Sequence, residues 1–426
     1  MSYIRSRHTD IQNFYGSSTP VDLAGRFGTP LYVYNEKILR KRCAELATLS
    51  SHEGFRVNYS IKANSNPELL KIIRQEGLMA DAMSPGELAM DLAAGYSPGE
   101  ILYISNNNTP AEMKHALDAG CLVSVDSLSQ LELLGSLAPG SKFMARINPG
   151  IGEGHHAKVV TGGAASKFGI NPAQIPDILA LAEKSNLRLA GLNQHIGSLF
   201  MRPDAYIAAV EVLLEIAGRL PEDSSKGLEI LDFGGGFGIP YHKYDQEERL
   251  DMARLGGELH SLISGWAAKT GYAGKFLVEP GRYVVAECGV LLGMVTAVKE
   301  SGQARFVGTD IGFNVLMRPM LYDSFHDIEI YAENRQPPVS QTIVGNICES
   351  GDILARDRLL PPMLPGMIFG VLDAGAYGFS MASNYNDRLL PAEILIQADG
   401  SPRLIRRRQT IADLMACLEN PDHPAS

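Results

Sequence analysis

Several things are missing from this chain, and each absence narrows what it can be. The N-terminal MSYIRSRHTD has none of the apolar core of a secretion signal, and no run of 18 apolar residues is present anywhere. A cytoplasmic protein without a membrane span is therefore expected. The five cysteines (Cys43, Cys121, Cys288, Cys348, Cys417) are odd in number, far apart and form no CxxC pair. That spacing argues against a disulfide framework or a zinc site and agrees with a reducing compartment. No internal repeat or low-complexity segment stands out. Positive charge is also short: 38 Lys and Arg against 48 Asp and Glu give a net charge of −10. Nucleic acid and anionic membranes are thus poor candidates for the main partner, although a locally basic site for a small anionic substrate remains open.

What is present is an ordinary globular balance, 45% apolar and 20% charged, over 426 residues. That length suits two domains, one of them large enough for a barrel of roughly 250 residues. Short β-rich runs alternate with amphipathic helical stretches from about residue 56 to 281. The expected strands are Arg56–Asn64, Leu78–Ser84, Ile101–Asn107, Leu122–Ser127, Lys142–Pro149, Leu187–Gly197, Leu228–Gly236 and Lys275–Gly281. Eight such alternations predict a parallel (β/α)8 TIM barrel, with a doubly wound open sheet as the competing fold. Beyond residue 281 the segments Val284–Lys299, Ala304–Thr309, Ile328–Tyr331, Thr342–Gly345, Met367–Leu372 and Ala392–Ile396 predict a mainly β second domain.

Four strand ends carry chemistry. The first ends YSIKAN; Lys62 within an apolar β run is unusual, because burying an ammonium is costly. It either reaches solvent at the strand end or is a desolvated amine ready to form a Schiff base. The sixth ends NQHIGS, with His195 where barrel enzymes keep catalytic groups. The seventh ends DFGGGFG. Gly234, Gly235 and Gly236 suit convergence of backbone N–H groups on an anion, and no GK[ST] of a Walker loop follows. The eighth ends EPGR, where Glu279 suits a protonated pyridine nitrogen and Arg282 an anion. In a closed barrel all four ends face one mouth.

These motifs, with CESGD (Cys348–Asp352) and GAYGFSMASNYN (Gly375–Asn386), resemble diaminopimelate decarboxylases, members of the alanine-racemase-like, fold-type-III pyridoxal-phosphate (PLP) decarboxylases. The resemblance runs from the segment starting at Gly28 to about Met415. It implies a PLP-binding barrel over 31–281 and a β-sandwich-like domain from 1–30 and 282–426, in a homodimer with shared active sites. It further implies that Lys62 holds the cofactor as a Schiff base and that His195 stacks on its ring. Ser198 and the three glycines hold its phosphate, with Gly281 and Arg282 beside them, and Glu279 keeps its ring nitrogen protonated. Cys348 arrives from the partner subunit as proton donor, Glu349 meets the substrate amine, and Tyr377 touches cofactor and substrate. No metal is implied, and the adjacent His155 and His156 make a poor metal pair.

Substrate choice points to MRPMLY. Arg318 and Tyr322, four apart, share a helical face, and Pro319 suits a first helical turn. In this family a matching Arg and Tyr bind the substrate's distal end. A guanidinium there selects a second carboxylate, as in meso-2,6-diaminopimelate, decarboxylated to L-lysine and CO2 in lysine biosynthesis. A related amino acid or a carboxylated polyamine, as in secondary metabolism, is the alternative; a racemase and a non-catalytic PLP carrier are the others. The sequence departs from the family pattern at Asn193 (for a second His), at SPGE (Ser84–Glu87), at Asp387–Pro391 and in the loop Gly150–Lys167.

Overall fold

The computed structural model describes residues 7–154, 166–332 and 336–418. The chain divides into two compact units, one of Leu39–Pro240 and Glu248–Val285, the other of Met1–Ile38, Tyr241–Glu247 and Ala286–Ser426. Among the described residues no helix is long and apolar enough to cross a membrane.

The first unit is a closed barrel of eight parallel strands. They are Phe55–Tyr59, Met79–Ala82, Ile101–Ile104, Leu122–Val125, Lys142–Arg146, Arg188–Asn193, Ile230–Asp232 and Lys275–Val278. All eight expected strands are found, so the open sheet is excluded. Each strand is buried on both faces, by the barrel interior and by the helices outside, which explains their near-continuous apolar character. The helices start where side chains can satisfy their first N–H groups. Asn66, Ser84 and Thr109 cap the helices that open at Pro67, Pro85 and Pro110. The unusual SPGE is thus a helix start: Ser84 Oγ accepts the Glu87 N–H at 3.2 Å, and Glu87 accepts the Met83 N–H at 2.8 Å.

The barrel interior changes character along its strands. Met79, Leu102, Met144, Ile230 and Leu277 form an apolar cluster. Two residues beyond Met144, Gly191 and Ile230, which pair in register, come Arg146, Asn193 and Asp232, also paired in register across neighbouring strands. Polar side chains therefore crowd the C-terminal end, where barrel enzymes do their chemistry. Asn193, the departure from the family's histidine, accepts a 2.7 Å hydrogen bond from Ser124 Oγ.

The second unit is built on a nine-stranded sheet, mostly antiparallel. One of its inner strands is Leu31–Asn35, expected to lie within the barrel span. It runs antiparallel to Gly289–Ser301 and parallel to Ala392–Ile396. Leu31 and Val33 face a core with Phe14, Leu23, Val290, Leu292 and Ile394. Tyr32 and Tyr34 stack on the opposite face at 6.1 Å, so all five residues are buried and no alternation marks the strand. Residues Val284 and Val285, expected in a strand, close a short helix Arg282–Val285. Three strands of this sheet, Leu31–Asn35, Ile353–Leu360 and Pro402–Arg406, were not among the expected segments. The segment Tyr241–Glu247 leaves the barrel sequence and belongs to this unit. Lys243 anchors it, 2.7 Å from Glu287 and 3.2 Å from Asp373.

Candidate active site

In the barrel unit the expected residues lie on turns that the strand ends make just past the sheet. Lys62 sits in a single 3-10 turn, Ile61–Ala63. Asp81, from the next strand, holds that turn by accepting from Ser60 Oγ at 2.9 Å and from the Ile61 N–H at 2.8 Å. The EPGR turn lies directly against it. The Ser60 N–H donates to Pro280 O at 3.3 Å. A Cβ on Gly281 would meet Ala63 and Ser60 at 3.1–3.2 Å. Gly281 therefore works as a spacer that lets the turns of Lys62 and Glu279 touch.

The glycine turn is equally constrained. Gly234 and Gly236 take φ of +73° and +111°, and a Cβ on Gly235 would overlap Glu279 O at 1.9 Å. Tyr206 OH donates to Gly234 O at 3.0 Å, and Phe200, Tyr206 and Phe237 pack together beneath it. Two of the expected anion donors are engaged within the chain: the Gly234 N–H donates to Asp232 Oδ1 at 2.9 Å and the Gly235 N–H to His195 Nδ1 at 3.1 Å. Arg282 Nη2 donates to Ser198 Oγ at 2.8 Å, so these two expected anion ligands are in contact.

The electrostatics match this crowding. Burial, then the nearby charge of Asp232, pushes the Glu279 carboxyl well above its ordinary range, and burial raises Asp232 too. Burial, then Glu279, raises Asp81. Burial, then the positive charges of Lys62 and Arg146, drives His195 well below its usual value. A neutral imidazole is what the Gly235 N–H requires, since Nδ1 must accept. Asp81, Glu87, Glu279 and His195 all sense the charge of Lys62. Four participants were not singled out from the sequence: Asp81, Glu87, Arg146 and Asp232. Three of them carried the signal used for Lys62, a charge inside an apolar strand.

In the second unit, Cys348 and Glu349 are exposed. The Cys348 N–H donates to Asn386 Oδ1 at 2.8 Å, and Tyr385 OH donates to Glu349 at 2.6 Å. Asp352, the last residue of CESGD, shapes this loop by accepting the N–H groups of Ile347 and Phe313, both at 2.7 Å. A cavity of about 390 Å³ lies here, lined by Phe313, Met317, Met320, Glu349 and Tyr385 among others. Arg318 opens the helix Arg318–Tyr322, with Pro319 in its first turn. Arg318 is 2% exposed, whereas Tyr322 is half-buried. Tyr377 takes φ +55°, a conformation a bulky residue adopts only when its surroundings enforce it. His155 and His156 lie outside the described residues.

Comparison with known proteins agrees with this geometry. Residues 37–286 match the family model described as the pyridoxal-binding domain of pyridoxal-dependent decarboxylases. Diaminopimelate decarboxylase from Methanothermobacter thermautotrophicus is 40% identical over 406 residues, covering 94% of each chain. A crystal structure of diaminopimelate decarboxylase superposes with a TM-score of 0.86 at 33% identity, covering 95% of this chain and 98% of that one. The Helicobacter pylori diaminopimelate decarboxylase complexed with L-lysine superposes with a TM-score of 0.85 at 29% identity, covering 93% and 98%. With matched relatives spanning almost its whole length and a closed barrel whose mouth gathers Lys62, His195, Glu279 and Arg282, this chain belongs to the pyridoxal-dependent diaminopimelate decarboxylase family.

Proposed function

We propose that this protein decarboxylates meso-2,6-diaminopimelate to L-lysine and CO2 with PLP as cofactor, in the cytoplasm and as a homodimer. The observation that carries the reading is the packing of the Lys62 turn on the Glu279 turn, with the Arg282–Ser198 pair in the same barrel unit. This set fits PLP. A lysine is available for its aldehyde, and an arginine–hydroxyl pair for its phosphate. Glu279 is a buried carboxyl beside Asp232 and senses the charge of Lys62, the acidic group that a pyridinium N–H needs.

When bound, PLP supplies the electron sink that lets Cα lose CO2. The chain's own residues then have separate tasks. Lys62 Nζ holds the cofactor, and the neutral His195 ring offers it a flat face. Asp81 fixes the turn that aims Lys62. Glu279, with Asp232 behind it, holds a proton at the ring nitrogen. Cys348 Sγ delivers a proton to Cα after CO2 departs, Glu349 meets the substrate amine, and Arg318 with Tyr322 receives the distal carboxylate. Tyr377 borders cofactor and substrate.

The dimer is supported by exposure. Cys348, Glu349, Met320 and Tyr385 are open to solvent in a single chain, whereas delivering a proton to one face of Cα calls for an enclosed site. A second copy supplies that cover.

A steady-state assay with meso-diaminopimelate, ornithine, lysine and carboxynorspermidine tests the reading. The dicarboxylate is expected to exceed each other substrate by about 10²-fold or more in kcat/KM, because a missing carboxylate leaves the site's cation unmatched. Equal or better turnover of a monocarboxylic diamine overturns it. Inverted stereochemistry without CO2 would make the protein a racemase.

A further inference from the structure

Arg318 carries the substrate reading, yet an arginine on a short helix has four rotatable bonds and does not aim itself. Two neutral groups grip its guanidinium. Nη1 donates to His326 Nε2 at 2.7 Å, and Cζ lies 4.7 Å from the centre of the Tyr241 ring. The two clamping rings meet edge to face at 5.2 Å. His326 is itself fixed, with Nδ1 2.7 Å from Leu372 O. The backbone there is tied too, the Leu372 N–H donating to Asp327 O at 2.9 Å.

The donor pattern fixes the imidazole. A carbonyl only accepts, so Nδ1 carries the hydrogen; a guanidinium only donates, so Nε2 offers its lone pair. His326 therefore turns one side of the Arg318 fork without bringing a negative charge to it. An aspartate or glutamate in its place would orient the same nitrogen and cancel the charge that a substrate carboxylate needs. The Tyr241 face behaves alike, attracting a cation without neutralising it.

We propose that His326, with Tyr241, is a positioning residue that aims Arg318 and so sets the preference for a substrate with a distal carboxylate. This rests on the reading of Arg318 given above. The consequence is a KM effect confined to dicarboxylates, with chemistry at Cα little altered.

The test uses the PLP-loaded enzyme and two substitutions. His326→Asn keeps a donor for Leu372 O but loses the acceptor for Arg318; His326→Gln reaches both partners with one amide. His326→Asn is expected to raise KM for meso-diaminopimelate about 10-fold, the size of one charge-assisted hydrogen bond, with kcat held within about threefold. Calorimetric binding of heptanedioate, an unreactive dicarboxylate, should weaken by the same factor, and binding of L-lysine, which lacks the distal carboxylate, by less than about twofold. His326→Gln should recover most of the loss. An unchanged KM in His326→Asn, equal weakening of L-lysine and heptanedioate, or no difference between the two variants would overturn the proposal. Should His326→Asn fail to fold, Tyr241→Leu removes the other wall of the clamp and is judged by the same KM and binding criteria. Arg318→Ala separates the two levels: no KM change there sinks the reading of Arg318 itself, whereas a response to Arg318→Ala alone sinks only the role of His326.

Discussion

Lys62 in the barrel unit and Lys243 in the mainly β unit are both lysines among carboxylates, and they are opposites. Lys243 is buried in contact ion pairs with Glu287 and Asp373. Burial alone would lower its pKa, but the two carboxylates outweigh that and raise it. Such an amine stays protonated and cannot attack an aldehyde. The acids that sense the charge of Lys62, Glu279 and Asp81, are pushed by burial toward their neutral forms. Carboxylates in contact hold Lys243 as a cation, whereas the acids near Lys62 are themselves driven by burial toward their neutral forms.

The comparison breaks first at Lys62. Lys62→Ala should lower activity by more than about 10³-fold and abolish the visible absorbance expected at about 420 nm for a PLP imine. Urea unfolding of the apoprotein should shift by less than about 1 kcal/mol, because the acids left behind can hold protons. Retention of the visible band would show that another lysine holds the cofactor.

Cys348→Ala should bind cofactor normally and lose turnover by about 10²-fold. Mixing the two inactive variants sharpens the contrast between units. If each site draws Lys62 from one copy and Cys348 from another, random dimers recover up to about a quarter of wild-type activity. No recovery after verified subunit exchange would place both residues in one copy.

Lys243→Ala should show the mirror image, a stability loss of about 3–5 kcal/mol from two buried carboxylates left uncompensated. The PLP band should remain. Loss of the band with stability unchanged would reverse the assignment of the two lysines.

The smallest effect concerns Asp91, buried without hydrogen-bond partners and raised from 3.8 to about 9 by burial, then Asp81 and Glu87. A folded pKa above the unfolded one makes the stability full below pH about 4 and lost progressively as pH rises toward 9. Asp91→Asn should remove that decline and gain about 1–3 kcal/mol at alkaline pH. Parallel stability–pH curves for the two proteins would mean that Asp91 is not held neutral.

Much of the barrel was legible because its eight strands are short, β-rich and separated by helices that announce themselves with Asn-Pro, Ser-Pro and Thr-Pro starts. Leu31–Asn35 fell inside the barrel span that the resemblance implied, whereas its partners far along the chain, Gly289–Ser301 and Ala392–Ile396, put it in the second sheet. Ile353–Leu360 was hidden by the charges on its open face, as was the edge strand Pro402–Arg406. Lys62, proposed as the cofactor lysine, stood out in the sequence by its discord with an apolar run. Asp81 and Asp232 broke similar runs, but their work is to hold a turn and a neighbouring acid, which no linear spacing encodes. His326 and Tyr241 lie far apart in sequence and become a pair only through folding.

The inner strand Leu31–Asn35 has a consequence for biosynthesis. It emerges from the ribosome early, whereas its neighbours Gly289–Ser301 and Ala392–Ile396 follow only after the barrel sequence and near the end of translation. The barrel can close while this strand waits with both edges bare, an exposed β segment of the kind that invites aggregation. Final assembly of the mainly β unit is thus a late, non-local event, and a ribosome stalled before residue 392 leaves a chain with a closed barrel and an unfinished sheet.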